Sequence, residues 1–408
     1  MTVATHFHMN GEETLGHAGL ERVERVVETP AGPARIQGYV DPRFAGVVDA
    51  YAQGFANDEE IGSSTAGYRH GRKIYDLWGG HADKARTIEW SEHTIVNTMS
   101  TTKAFSATCL MMLVDRGLVD LDAPIARYWP EFAQAGKAKI PVRYILDHRA
   151  GLARIDRPAH RGGIFDTQAM EEGLAAQAPN WEPGSQAGYH VLTMGFLIGA
   201  IVRRVSGKTL GTFLRDEIAL PLKLDFHVGL PVADHARAAE FVNAERGTIF
   251  QKAAAEPDSL IAKATAQLPE SSNSPAFRSC EHGSGNGHGT ARAVARFYAC
   301  LVAGRRLDGV TLMRPDTIAT MTTQQHRLTE IVNNRDYCQA LGMLRNSPEW
   351  AWMGPNENAF GHHGVGGSIG LADPDTGLSF SYLMNKMHER IDNGPRARRL
   401  IEASFASL

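Results

Sequence analysis

Hydrophobic and polar positions along this chain switch between two periods, and the switches mark out its elements. Phe44, Val47, Val48, Tyr51 and Phe55 recur at helical spacing just after Pro42, which predicts an amphipathic helix. Two β-prone runs follow within residues 63–80 and meet at His70-Gly71, a pair suited to a hairpin turn. From 104 to 114 the chain is almost wholly apolar, and the run stops at Gly117. A helix that is apolar all round is a buried helix, and the glycine is its expected C-cap.

Beyond Gly117 the texture changes to short helical stretches. Residues 144–152 read as a helix running into Gly151, and 189–205 and 210–220 as further helices broken by Gly207 and Pro221. Residues 231–289 are irregular and rich in Ser, Asn, Pro and Gly, which suits a layer of substrate-facing loops. Helical spacing resumes at Ala291, Val294, Ala295, Phe297, Tyr298 and Leu301. Three β-like runs close the chain (339–343, 367–372 and 378–384), the last two joined by a turn at 373–377. The pattern implies an α+β fold, an antiparallel sheet flanked by helices and built from both chain ends. Residues 1–40 read as a leader, 41–115 with 290–408 as an α/β subdomain, and 116–289 as a mostly helical insert. Junctions of this kind form clefts, and the start of the buried helix falls at this one.

Composition narrows the class without naming a chemistry. In 408 residues, 42 basic and 45 acidic side chains leave a net charge of −3. That gives no general attraction to nucleic acid or to anionic membranes. Cys109, Cys280, Cys300 and Cys338 are far apart and form no C-x-x-C, which fits free thiols in a reducing compartment. The first residues lack an apolar signal core, and the apolar run 196–202 ends at once in Arg203-Arg204. A cytoplasmic protein without a membrane span is therefore expected. The 17 histidines show no H-E-x-x-H or other ligand spacing. His6 and His8 read as solvated, and neither metal nor cofactor is expected.

The candidate chemistry sits where the apolar helix begins. Ser100 and Lys103, in Ser100-Thr101-Thr102-Lys103, are three residues apart and share one helical face, with Ser100 in the first turn. A serine hydroxyl needs a neighbouring base to act as a nucleophile. Burial and the positive end of a helix both disfavour a charged lysine, so Lys103 is suited to that task. Backbone N–H groups at the same helix start can hold an oxyanion.

Three further stretches accompany this pair: 145–152 (Ile-Leu-Asp-His-Arg-Ala-Gly-Leu), Gly184-Ser185-Gln186-Ala187-Gly188-Tyr189-His190, and Phe360-Gly361-His362-His363-Gly364 leading through Gly366-Gly367-Ser368 to an edge-like strand. Together the four resemble the serine β-lactamase and penicillin-recognising family, in its class C branch and the related family VIII esterases and acyltransferases. The resemblance covers about residues 40–400, with the motifs in the family's order. It implies the β-lactamase/transpeptidase-like fold, Ser100 as acylated nucleophile, Lys103 as proton acceptor, and Tyr189 sharing the acid and base work. His362-His363-Gly364 matches the family's Lys-Thr-Gly element and would contact substrate. The N–H groups of Ser100 and Val365 would form the oxyanion hole.

Two departures from the family pattern bear on substrate. Val191 stands where Tyr-x-Asn has asparagine, and His362 and His363 replace the strand's lysine and threonine. In the lactamases these groups bind the antibiotic's carboxylate and amide. A valine and a neutral imidazole bind an anion poorly, and a polar group left unpaired inside a site costs roughly 1–3 kcal/mol. Neutral esters of small acyl groups are therefore the expected substrates, with water or a second alcohol releasing the acyl group. A β-lactamase or D-Ala peptidase, an acyltransferase on the same site, and a non-catalytic scaffold stay open as alternatives. The partner expected is a small-molecule ester, and the sequence leaves a homo-oligomer open. Gly366-Gly367-Ser368-Ile369-Gly370 also satisfies G-x-S-x-G, but that elbow needs a helix after its serine, and the residues after Ser368 are β-prone.

Overall fold

The computed structural model describes residues 17–245, 249–302, 306–390 and 392–408; His6 and His8 lie outside them. The strands are β1 (Glu21–Val27), β2 (Ala34–Val40), β3 (Gly62–Arg69), β4 (Arg72–Gly80), β5 (Val96–Asn97), β6 (Phe226–Val228), β7 (Gly287–Gly289), β8 (His326–Glu330), β9 (Arg335–Gln339), β10 (Leu344–Arg345), β11 (Phe360–His363), β12 (Ile369–Asp373) and β13 (Leu378–Met384). Ten of them form one sheet in the order β1-β2-β4-β3-β13-β12-β11-β10-β9-β8, and β5-β7-β6 form a small second sheet. Every pair in the large sheet is antiparallel. Both chain ends contribute, and the pairing of β3 with β13 joins them. The β3–β4 hairpin turns on His70 (φ +48°) and Gly71 (φ +79°), both left-handed as a tight hairpin turn requires.

Helices cover both faces of the sheet. All seven residues of β13 are buried, as expected of a strand with no solvated face. Ser379 Oγ donates to the carbonyl of Ala295 in helix Ala291–Val302. Three positions on, and hence on the opposite face, the Tyr382 hydroxyl bonds Glu60, which pairs with Arg396 of helix Gly394–Ala406. In the middle of the chain, helix Thr193–Ser206 packs against the buried helix Thr102–Asp115, and helix Thr167–Ala176 packs on Thr193–Ser206.

Several expectations are corrected by the structure. Residues 21–40 are no leader but β1 and β2, which extend the sheet and bury Ala34, Ile36 and Val40; the Glu and Arg residues of this edge strand masked its alternation. The helix expected over 144–152 ends at Leu146, because His148 takes a left-handed φ of +62° and the Asp147 carboxylate accepts the Arg149 amide. Helix 189–205 begins only at Thr193, leaving Tyr189 on extended chain. The run from Leu210 continues through Pro221 to Leu222, after one π-turn. The strand after Ser368 is no edge: it is β12, held between β13 and β11. The His-His-Gly stretch itself begins in a further strand, β11, which contains His362 and His363 and lies between β10 and β12. Among the described residues, no helix is long and apolar enough to cross a membrane.

Candidate active site

Ser100 stands in the turn just before helix Thr102–Asp115 rather than within its first turn. Successive three-residue backbone bonds (Thr101 N–H to Thr98 O, Thr102 N–H to Met99 O, Lys103 N–H to Ser100 O) wind the chain tightly into the helix. Met99 precedes it with a φ of +46°, a conformation costly for a side chain with a Cβ, so its surroundings must hold it there. They do so with buried polar groups. The Met99 N–H donates to Asn97 Oδ1 at 2.7 Å, Asn97 is bonded to Asn286 at 3.1 Å, and Thr102 Oγ1 donates to the Met99 carbonyl.

Lys103 is completely buried. Its Nζ lies 3.3 Å from Ser100 Oγ, 3.0 Å from the Val191 carbonyl and 2.8 Å from the Ser284 carbonyl, and 4.7 Å from the Tyr189 ring centroid. Among the described residues, no carboxylate pairs with it. Burial therefore pushes its pKa well below that of an ordinary lysine. A neutral amine has two N–H donors and one lone pair. The two carbonyls can only accept, so they take both N–H groups and leave the lone pair facing the Ser100 hydroxyl.

Tyr189 reaches the same point from extended chain. Its hydroxyl lies beside Ser100, and burial raises its pKa above that of a free phenol. Its backbone N–H donates to Glu330 Oε2 at 2.8 Å. His148 stands 4.8 Å from its ring and His362 6.3 Å, centroid to centroid. Both imidazoles are buried, and burial holds both pKa values well below that of free histidine. His362 Nδ1–H donates to the His363 carbonyl at 2.7 Å, so its Nε2 is a free acceptor. His363, next on the strand, turns to the other face; its pKa is lowered to about 4 by burial, and Asp392 is its charged neighbour.

Gly364 closes the arrangement. A Cβ there would lie 2.4 Å from Ser368 Oγ and 2.7 Å from the Thr98 carbonyl, so only glycine lets the chain after β11 pass this close to the turn that carries Ser100. Among the described residues, the N–H groups of Ser100 and Val365 have no backbone acceptor. Both residues line one cavity of about 530 Å³. Much of its wall is apolar, including Leu192, Ala254, Leu268 and Phe277, with His282 and Ser284 beside them and Arg161 and Glu270 also present. The arrangement can accept a serine proton, hold a developing oxyanion and house an apolar group of moderate size. No group of His, Cys, Asp or Glu side chains among the described residues is arranged to hold a metal ion.

Thus Ser100, Lys103 and Tyr189 are in mutual contact, Val365 and Gly364 adjoin them, His362 stands one ring away, and His363 faces elsewhere. Sequence reasoning missed the Ser284 and Val191 carbonyls, His282 and Glu330. Carbonyl contacts leave no mark on residue type, and Glu330 lies 141 residues from the tyrosine it holds.

Comparison with known proteins gives the following. Residues 47–404 match the family model described as Beta-lactamase. A Mycobacterium tuberculosis protein named Esterase/beta-lactamase LipL is 34% identical over 394 residues, covering 89% of this chain and 86% of that protein. The crystal structure of a penicillin-binding protein homolog from Caulobacter crescentus superposes with a TM-score of 0.85 at 38% identity, over 91% of this chain and 100% of that one. A crystal structure titled as a family VIII carboxylesterase gives a TM-score of 0.84 at 36% identity, with the same coverage.

Proposed function

This chain belongs to the beta-lactamase family, and from that premise we propose that it is a serine carboxylesterase that cleaves uncharged esters through an acyl-enzyme on Ser100. The observation that carries the reading is the buried Lys103 amine, its Nζ 3.3 Å from Ser100 Oγ and 3.0 and 2.8 Å from the Val191 and Ser284 carbonyl oxygens. Ser100 Oγ attacks the ester carbonyl carbon as its proton passes to Lys103 Nζ, and Tyr189 steadies the transfer. The N–H groups of Ser100 and Val365 hold the tetrahedral oxyanion. The C–O bond to the alcohol breaks, and the alcohol leaves with a proton returned through Tyr189. Water then attacks the acyl-serine by the same route, releasing the acid and restoring Ser100.

The preference for esters over β-lactams rests on the polar groups around the site. Val191 offers no side-chain amide, and His362, its pKa well below that of free histidine, offers no cation to a substrate carboxylate. Each substrate group left unpaired in this way costs roughly 1–3 kcal/mol. The name of the Mycobacterium relative couples esterase with beta-lactamase, so a chromogenic cephalosporin is the discriminating second substrate. A short-chain p-nitrophenyl ester should have a kcat/KM about 100-fold or more above that of the cephalosporin. Equal or better turnover of the cephalosporin would overturn the proposal.

A further inference from the structure

Among the described residues, one buried carboxylate contacts the backbone of the Ser100–Lys103–Tyr189 group, and the mechanism above does not use it. Glu330, the last residue of β8, is 1% exposed. Its Oε2 accepts the N–H of Tyr189 at 2.8 Å and of Val332 at 2.9 Å, and its Oε1 accepts the N–H of Asn333 at 2.7 Å. No cation pairs with it among the described residues. Burial raises its pKa above the usual carboxylate value, and the three N–H donors pull the other way, toward the ionised form. The Ile331 N–H donates to the Ala187 carbonyl at 3.0 Å. The turn after β8 is therefore clamped to the Tyr189 segment at two points, and Tyr337 of β9 packs edge-on against the Tyr189 ring at 5.7 Å.

We propose that Glu330 is a positioning residue, a buried carboxylate that fixes the Tyr189 backbone and so holds the Tyr189 side chain beside Ser100 and Lys103. The inference rests on the esterase reading for its assay. The titratable groups around Glu330 are Tyr189 on its extended segment and Tyr337 on β9, with Lys103, His148, His190 and His362 grouped about Tyr189. Arg335, opposite Glu330 across the hairpin, places its guanidinium on Trp350 at 3.5 Å. Glu330 bears on Tyr189 and Tyr337 rather than on Lys103, whose amine is perturbed by burial alone. Glu330 does not line the cavity, so its effect belongs on turnover rather than on substrate binding.

The test is Glu330→Gln and Glu330→Asp, assayed on a p-nitrophenyl ester across about pH 5–10. The rate of Ser100 labelling by a fluorophosphonate is read in parallel, because it needs no ester turnover. In Glu330→Gln, kcat should fall about tenfold or more with KM nearly unchanged. The acid limb, which follows Lys103, should stay in place in both readouts, because Glu330 holds Tyr189 and not Lys103. Glu330→Asp keeps the carboxylate but not its reach to the Tyr189 N–H, so its kcat should fall as well. A Glu330→Gln enzyme with wild-type kcat, or activity that falls only with its folded fraction, would overturn the proposal. If Glu330→Gln does not fold, a Glu330→Asp enzyme with wild-type kcat would overturn it instead. Wild-type enzyme that labels on Ser100 but turns over no ester would count against the esterase reading alone.

Discussion

The hydroxyl of Ser368 donates a 2.8 Å hydrogen bond to the carbonyl of Thr98, two residues before Ser100. Ser368 also sits 3.2 Å from Thr101 Oγ1, so the start of β12 is stapled to both sides of the nucleophile turn. Its residue type fits the elbow motif, yet the residue is 1% exposed and its hydroxyl is bound to structure. Ser368→Ala should therefore still acylate at Ser100. It should lose about 1–2 kcal/mol of stability from two buried hydrogen bonds, a fall in Tm of about 1–5 °C. Thermal unfolding and labelling of the variant check this.

Ser100→Ala should abolish turnover, while Lys103→Ala and Tyr189→Phe should each lower kcat by about 10²–10⁴. Because the three act on one proton transfer, the double variant Lys103→Ala/Tyr189→Phe should be far less impaired than the product of the single effects. Steady-state kinetics on folded variants decides this, and near-normal activity in any single variant would refute its assigned role.

Burial of Lys103 sets the pH dependence. The amine must be neutral to accept the Ser100 proton, and its pKa lies well below the ordinary lysine value of 10.5. Activity should rise with pH through that lowered value and reach its plateau before the range in which a solvated lysine titrates. A kcat/KM that keeps climbing tenfold per unit up to about pH 10 would mean a base with an ordinary lysine pKa.

Buried neutral histidines should make the fold acid-sensitive. Burial lowers the pKa of His190 and His363 to about 4, and of His282 and His288 to about 3, from 6.5. Below 6.5 the unfolded chain takes up protons that the native state refuses. The stability these residues contribute is thus fully present above 6.5 and is lost as pH falls toward 4 and 3. Chemical denaturation across that window should show the midpoint dropping, and less steeply in His363→Gln.

Much of this was legible in the residues, for a physical reason. Helix Thr102–Asp115 is buried on every side, so its apolar run could mean little else, and a lysine at its start demanded an explanation. The β3–β4 hairpin announced itself through His70-Gly71. By contrast, β1 is an edge strand with most of its side chains in solvent, so its sequence carries little of the alternation that marks a half-buried strand. The boundary at Leu146 depends on a left-handed His148, which no periodicity records. Glu330 acts through hydrogen bonds to backbone N–H groups, which are common to nearly every residue type and so leave no motif.

The proposed reaction begins with acylation of Ser100. Treatment with a fluorophosphonate, followed by intact mass and peptide mapping, tests it most directly. One adduct, on the tryptic peptide that ends at Lys103 and contains Ser100, is the predicted result, and Ser100→Ala should carry none. An adduct on the peptide containing Ser368, or no adduct on folded wild-type protein, would contradict the account.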